Sequence, residues 1–92
     1  MSERSEDINL AEVVSRATAD FEAMTGKAVD SVTGVRDRDG SGWSVLVDVV
    51  ELERIPATTS VLATYRVDLG AGGRIQAYER LRRFNRGAVD PS

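Results

Sequence analysis

The chain has 92 residues, a formal net charge of −3, and neither cysteine nor histidine. Hydrophobic residues make up 41% of it and charged residues 29%, which is typical of one small soluble domain. This composition excludes disulfide bonds, thiolate chemistry and histidine-based catalysis or zinc binding, and no apolar run is long enough for a membrane-spanning helix.

Periodic patterns divide the chain into three segments. Residues 1–7 are polar and acidic and lack periodicity, so we expect a disordered arm that is unlike a signal peptide. Residues 8–87 carry all the periodic patterns and are predicted to form a single domain, followed by a short tail at 88–92. Because the N-terminus is unlike a signal peptide and no apolar run could span a membrane, we expect a cytoplasmic location.

Residues 9–25 are predicted to form an amphipathic helix. Asn9 is a suitable N-cap, and Gly26 can adopt the left-handed conformation that ends a helix. The apolar residues recur at helical spacing in a single stripe, namely Leu10, Val13, Val14, Ala17, Phe21 and Met24. Because a lone helix must bury such a stripe, we expect the stripe, including its Phe21 and Met24 end, to pack on a sheet.

Two strands joined by a polar turn come next. The valines of residues 28–37 do not alternate cleanly, so a bulged or late-starting strand is predicted. Asp39-Gly40 is a strong hairpin signal, and the acidic residues around it lack the spacing of a calcium-binding loop. Residues 43–53 alternate with one plainly apolar face, which predicts a central strand covered on one side by the helix.

Two further strands complete a sheet. Residues 61–69 alternate cleanly, and the glycine-rich residues 70–73 are predicted to form a tight turn rather than a phosphate-binding loop, because a strand follows them. Residues 74–86 form the last strand, whose strict alternation places four residues on one face: Tyr78, Arg80, Arg82 and Phe84. The predicted fold class is α+β, with one N-terminal amphipathic helix packed on a four-stranded antiparallel meander sheet.

Positive charge is concentrated in the last strand. Residues 74–86 contain five arginines and one glutamate, a net charge of +4, so the rest of the chain carries −7. Arginine beside aromatic residues occurs at protein interfaces and against nucleic acids, but the acidic total argues against nucleic acid. Pairing within the fold, with acids such as Glu51 and Asp68 on neighbouring strands, stays open beside a protein-binding face.

Catalysis has little support in the sequence. Glu51 and Glu53 are expected to share a strand face about 7 Å apart, and a carboxylate pair can do acid–base chemistry when burial separates the two pKa values. Nothing in the sequence indicates such burial. We therefore expect no enzyme activity, no catalytic residue, no cofactor and no bound metal.

Three motifs follow one another between residues 42 and 87: G-W-x-V-x-V-x-V-x-E-x-x-R-I-P, L-A-x-Y-x-V-x-L and Y-x-R-x-x-R-F-x-R-G. In this order and spacing they resemble the gas vesicle protein O (GvpO) family, and the resemblance covers roughly residues 20–87. The family's motif positions correspond here to Trp43, Glu51, Arg54, Ile55, Pro56, Leu62, Ala63, Tyr65, Tyr78, Arg80, Arg83, Phe84, Arg86 and Gly87.

The resemblance implies a non-enzymatic accessory role in gas vesicle assembly, with contacts to other gas vesicle accessory proteins or the shell protein. It supplies no mechanism. Charge and expected exposure at strand ends predict an interaction surface formed by these residues: Glu51, Arg54, Tyr78, Arg80, Arg83, Phe84 and Arg86. A small ligand-binding module, a nucleic-acid-binding regulator that uses the basic strand, and a homodimer formed through an edge strand stay open as alternatives.

Overall fold

The computed structural model describes residues 9–87, which form one α-helix followed by four strands. The elements are a helix at Leu10–Thr25 (α1) and strands at Ala28–Asp37 (β1), Gly42–Leu52 (β2), Val61–Gly70 (β3) and Ile75–Asn85 (β4). The strands form one antiparallel sheet in the order β1-β2-β3-β4, which confirms the predicted α+β meander. The arm predicted at residues 1–7 and the tail predicted at 88–92 lie outside the described residues.

Helix α1 begins and ends at the predicted caps. The Asn9 side chain accepts a hydrogen bond from the Ala11 N–H at 3.0 Å, and Gly26 ends the helix with a φ of 72°. Phe21 is buried, but Met24 is 58% exposed, so the expected packing of the Met24 end is wrong. At 3.6 residues per turn, Met24 lies about 60° around the helix from Phe21, which turns its side chain away from the sheet.

The core lies between α1 and the face of the sheet that α1 covers, which we call the inner face. The Phe21 ring packs edge-on against the rings of Tyr65 and Tyr78, with centroids 5.3 Å and 5.2 Å away. The remaining core side chains come from one further helix position and from the alternating inner-face positions of β2 and β3: Ala17, Val45, Val47, Val49, Ala63, Val67 and Leu69. Burial of these apolar groups is the main stabilisation of the domain.

Strand β1 carries two bulges that keep its three valines on the inner face. Register shifts follow Val29 and Val32, and each extra residue resets the two-residue alternation of the strand. Val29, Val32 and Val35 consequently lie three residues apart, yet each pairs with a buried valine of β2. The predicted irregularity of this strand is confirmed.

Strand β4 also contains a bulge, and it changes which residues share a face. The register opposite β3 shifts at Leu81, so that Arg83 joins Tyr78 and Arg80 on the inner face. Arg82 and Phe84 pair with outer-face residues of β3 instead. The prediction that these four residues share one face is therefore wrong: Tyr78 and Arg80 lie on the inner face, and Arg82 and Phe84 lie on the outer face. An extra residue in one strand reverses the facing of everything that follows it.

Candidate functional site

The Glu51 carboxylate lies at the centre of a charged cluster at one end of the inner face. Its Oε1 is 3.4 Å from Arg80 Nη1 and 3.5 Å from Arg83 Nε. Its Oε2 is 3.6 Å from Lys27 Nζ and accepts a hydrogen bond from the Tyr65 hydroxyl at 3.2 Å. We call these five residues the Glu51 cluster, which joins β2, β3, β4 and the segment between α1 and β1.

Glu51 is enclosed, which corrects the exposure expected for it at a strand end. Only 9% of its side chain is exposed, whereas the side chains of Arg80 and Arg83 are 47% and 54% exposed. Its inner-face position follows from the alternation of β2. Arg80 reaches it by the alternation of β4, and the Leu81 bulge adds Arg83. The cluster therefore holds one shielded carboxylate and presents three cations towards solvent.

The energetic contribution of these ion pairs is small. Each pair joins the shielded Glu51 carboxylate to a partly exposed cation, and the cost of removing the carboxylate from water offsets much of the attraction, so each pair contributes about 1 kcal/mol or less. With three cations and one carboxylate, the Glu51 cluster carries a net charge of +2. The Glu51 cluster therefore fixes the position of a positively charged patch on the surface and adds little to the free energy of unfolding.

Two further predicted residues lie near this end of the sheet, one on each face. Arg86 Nη2 is 3.0 Å from Asp30 Oδ1, an ion pair between edge strand β1 and the residue that follows edge strand β4, and this contact requires the sheet to curl at this end. Phe84 lies on the outer face, where the Arg82 guanidinium stacks 4.9 Å from its ring centroid. Sequence reasoning missed Lys27 and Asp30, since neither belongs to a periodic pattern or to the basic strand.

The connection between β2 and β3 places an apolar side chain in solvent at the same end of the sheet. Ile55 is 99% exposed, and Arg54 beside it is exposed and forms no ion pair within residues 9–87. The loop itself is well anchored. The buried Ser60 accepts hydrogen bonds from the N–H groups of Arg54 at 3.0 Å and of Arg86 at 2.8 Å. Arg54 and Ile55 are therefore exposed to solvent on a loop that hydrogen bonds hold in place.

The structure gives no support to a catalytic carboxylate pair. Glu53 lies beyond the end of β2 and is exposed, while Glu51 is surrounded by cations and a tyrosine. Within residues 9–87, no group of three or more acidic side chains is arranged to hold a metal ion. In that same part of the chain, α1 is too short and too polar to cross a bilayer.

Burial and then the neighbouring Glu51 carboxylate raise the pKa of the Tyr65 hydroxyl above its usual value near 10. The folded chain then holds this proton more tightly than the unfolded chain. The free energy of unfolding should therefore be at its full value below about pH 10 and decrease as the pH rises further. We expect Tyr65→Phe to flatten this decrease in urea titrations across that range. If the free energy of unfolding decreased with pH equally steeply in Tyr65→Phe and in the control Tyr78→Phe, the assignment of this decrease to Tyr65 would be contradicted.

Comparison with known proteins gives a family match over nearly the whole chain. The sequence model of the family described as gas vesicle synthesis protein GvpO matches residues 1–90. A gas vesicle protein O from Streptomyces sp. (strain CB03234) is 41% identical over 80 residues, which are 87% of this chain and 62% of that protein. No solved structure gives a significant match.

Two archaeal relatives are also similar. Gas vesicle protein O of Haloferax mediterranei is 28% identical over 80 residues, which are 87% of this chain and 57% of that protein. Gas vesicle protein O1 of Halobacterium salinarum is 33% identical over 51 residues, covering 55% of this chain and 43% of its own length. The chain thus spans less than two thirds of the length of each of these relatives.

Proposed function

Because this chain belongs to the GvpO family of gas vesicle synthesis proteins, we propose that it acts as a non-enzymatic accessory factor that binds other gas vesicle proteins during assembly. It does so in the cytoplasm, by transient contacts with accessory proteins or with the shell protein. The surface we propose combines the exposed loop residues Arg54 and Ile55 with the arginines of the Glu51 cluster. The observation that carries the proposal is the near-complete exposure of Ile55 on an anchored loop.

An apolar side chain that is exposed in the free protein gains free energy when a partner covers it. Burying one isoleucine on binding contributes roughly 1.5–3 kcal/mol, which is the scale of an interface hot spot. Because its loop is fastened to β4 by hydrogen bonds, little conformational entropy is lost when Ile55 is covered. Ile55 is therefore suited to be the apolar anchor of a contact.

The arginines at this end of the sheet suit the rim of the same contact. Arg80 and Arg83 are held by Glu51 yet stay about half exposed, so their guanidinium groups can still donate hydrogen bonds to a partner. Positive charge on a rim raises the association rate with an acidic partner more than it raises affinity. Tyr78, which is 44% exposed, and Arg86 extend the proposed surface. Phe84 lies on the outer face of the sheet, so it lies outside the main part of the proposed surface.

The test is recovery of partners from cells that express a complete gas vesicle gene cluster. The variant is Arg54→Glu with Ile55→Ser, both of which are exposed and leave the Glu51 cluster intact. Charge reversal at Arg80 and Arg83 is less suitable, because it would place new carboxylates against Glu51 and disturb the fold. We expect the tagged wild-type chain to recover gas vesicle accessory or shell proteins and the double variant to lose them.

A matched control changes one arginine and one exposed apolar residue elsewhere. Arg16→Glu with Leu10→Ser does this on α1, where Arg16 lies beside the β3–β4 turn at the other end of the sheet. This control should recover the same partners as wild type. Equal recovery by the Arg54 and Ile55 variant would overturn the proposed surface, and recovery of no gas vesicle protein by wild type would overturn the proposed role.

A further inference from the structure

The outer face of the sheet contains a second feature, at the end remote from the Glu51 cluster. A groove of about 560 Å³ lies between the end of β1 and the middle of β2 and β3. Gly34 and Leu46 form its floor, and three arginines border it: Arg36, Arg38 and Arg66. None of these residues takes part in the surface proposed above.

Acidic side chains among residues 9–87 neutralise only part of the positive charge of this groove. Arg66 is paired, since its Nη2 is 2.7 Å from Glu79 Oε1 and its Nε is 3.5 Å from Asp68 Oδ1. Arg38 donates to the backbone oxygen of Leu69 at 3.2 Å, and neither it nor Arg36 forms an ion pair within residues 9–87. Two guanidinium groups on one side of the groove can therefore donate to an incoming carboxylate.

Gly34 leaves the floor of the groove open. Its φ lies outside the left-handed region, so its backbone does not require glycine. A Cβ added at this position would come 3.4 Å from Leu46 Cδ1, at the edge of ordinary contact. Glycine within a strand weakens it, and it often marks a place where another chain approaches closely. A larger side chain at position 34 would fill the groove without changing its charge.

The groove adjoins an edge of the sheet. Within residues 9–87, β1 pairs with β2 alone. On its other side the Val29 N–H donates to Glu22 Oε2, but the stretch from Gly34 onward has no bulge and offers its backbone groups to an extended segment. An added strand would carry alternate side chains over Leu46 and towards Arg36 and Arg38. From these observations we propose that the groove binds an acidic, extended segment of a partner protein, with a carboxylate at Arg36 and Arg38 and an apolar side chain on Leu46.

A protein carboxylate fits this groove better than a nucleic acid does. Asp68 lies in the groove and Glu79 beside it, and the whole chain carries −3, so a polyphosphate would meet repulsion along its length. A single carboxylate placed between two arginines avoids that repulsion. A short acidic peptide with one apolar residue is accordingly the ligand class that the charges and the floor favour.

The test measures fluorescence anisotropy of a labelled peptide in which glutamates flank one leucine, titrated with the full chain. Arg36→Glu with Arg38→Glu should weaken binding by at least about tenfold. Gly34→Leu, which keeps every charge, should weaken it by about as much by filling the floor. The control Arg16→Glu with Arg74→Glu makes the same change in net charge elsewhere and should stay within about twofold of wild type. Circular dichroism and a urea titration confirm that each variant is folded.

Three results would overturn the proposal. They are unchanged binding in Gly34→Leu, equal weakening in the control pair, and stronger binding of a DNA oligonucleotide than of the peptide. Self-association of the chain that displaces the peptide and is lost in Gly34→Leu would instead assign the groove to a second copy. The Arg54→Glu, Ile55→Ser variant should bind the peptide like wild type, so failure here and failure of the proposed function are separate outcomes.

Discussion

Phe21→Ala is expected to lower the free energy of unfolding by about 3–5 kcal/mol, the usual cost of removing a buried phenylalanine ring. Phe21 is 1% exposed and contacts the rings of both tyrosines of the inner face. α1 buries only one other residue, Ala17, so the contact between helix and sheet depends largely on this ring. In a domain whose total stability is about 5–10 kcal/mol, the loss approaches complete unfolding.

Urea titration followed by circular dichroism measures this effect. With a slope of about 1–2 kcal/mol per molar urea, the midpoint should fall by at least about 1.5 M. Met24→Ala is the matched control on the same helix, because Met24 is 58% exposed, and it should change the free energy of unfolding by less than about 0.5 kcal/mol. Similar midpoints for the two variants would mean that α1 does not pack on the sheet as described.

Gly42→Ala is expected to be at least as damaging, for a steric reason. The φ of Gly42 is 139°, a conformation that residues with a Cβ rarely adopt, and an added Cβ would fall 1.9 Å from the backbone oxygen of Leu69. That oxygen belongs to the neighbouring strand β3 and cannot move without breaking the sheet register. We expect a loss of more than about 3 kcal/mol, from backbone strain and overlap together.

The variant Gly40→Ala separates the cost of a positive φ from the cost of steric overlap between an added Cβ and its neighbours. Gly40 also has a positive φ, 83°, but nothing lies within 4 Å of a Cβ built there. Gly40→Ala should therefore lower the free energy of unfolding only by the cost of placing alanine in the left-handed conformation, about 1–2 kcal/mol. Thermal unfolding of both variants beside wild type measures the difference. A Gly42→Ala variant as stable as Gly40→Ala would contradict the close approach of Gly42 to β3.

Much of the fold could be predicted from the sequence, because local chemistry and global fold agree along most of the chain. Asn9 and Gly26 are strong cap residues, and both cap the helix. Asp39 and Gly40 both have positive φ in the first hairpin turn, as their residue types favour. The inner and outer faces of β2 and β3 could be predicted from alternation because those strands lie in the centre of the sheet, where one face is fully buried.

The facing of β4 could not be predicted, because its sequence does not distinguish its two faces. β4 is an edge strand in which Arg82 and Arg83 directly follow the Leu81 bulge, so slipping the alternation by one residue still places one arginine on each face. In β1 the three-residue spacing of valines did signal bulges, since valine has a clear preference for the inner face. A charged edge strand carries no such signal.

The enclosure of Glu51 depends on contacts that sequence patterns do not record. Lys27 and the β4 arginines are distant in sequence, and they reach Glu51 because the sheet curls at that end, where Arg86 also meets Asp30. The exposure of Ile55 is equally a property of the folded loop. Sequence reasoning therefore anticipated that arginines of β4 could pair with Glu51, while it misassigned Glu51 to the exposed surface.

The most direct measurement is gas vesicle yield in cells whose cluster lacks its own member of this family and which receive this chain in trans. We expect wild type and the Arg16→Glu, Leu10→Ser control to restore vesicles equally. We expect Arg54→Glu with Ile55→Ser to restore few or none while accumulating to the same level as a folded protein. Restoration by that variant to the wild-type yield would contradict the claim that this loop carries the assembly function.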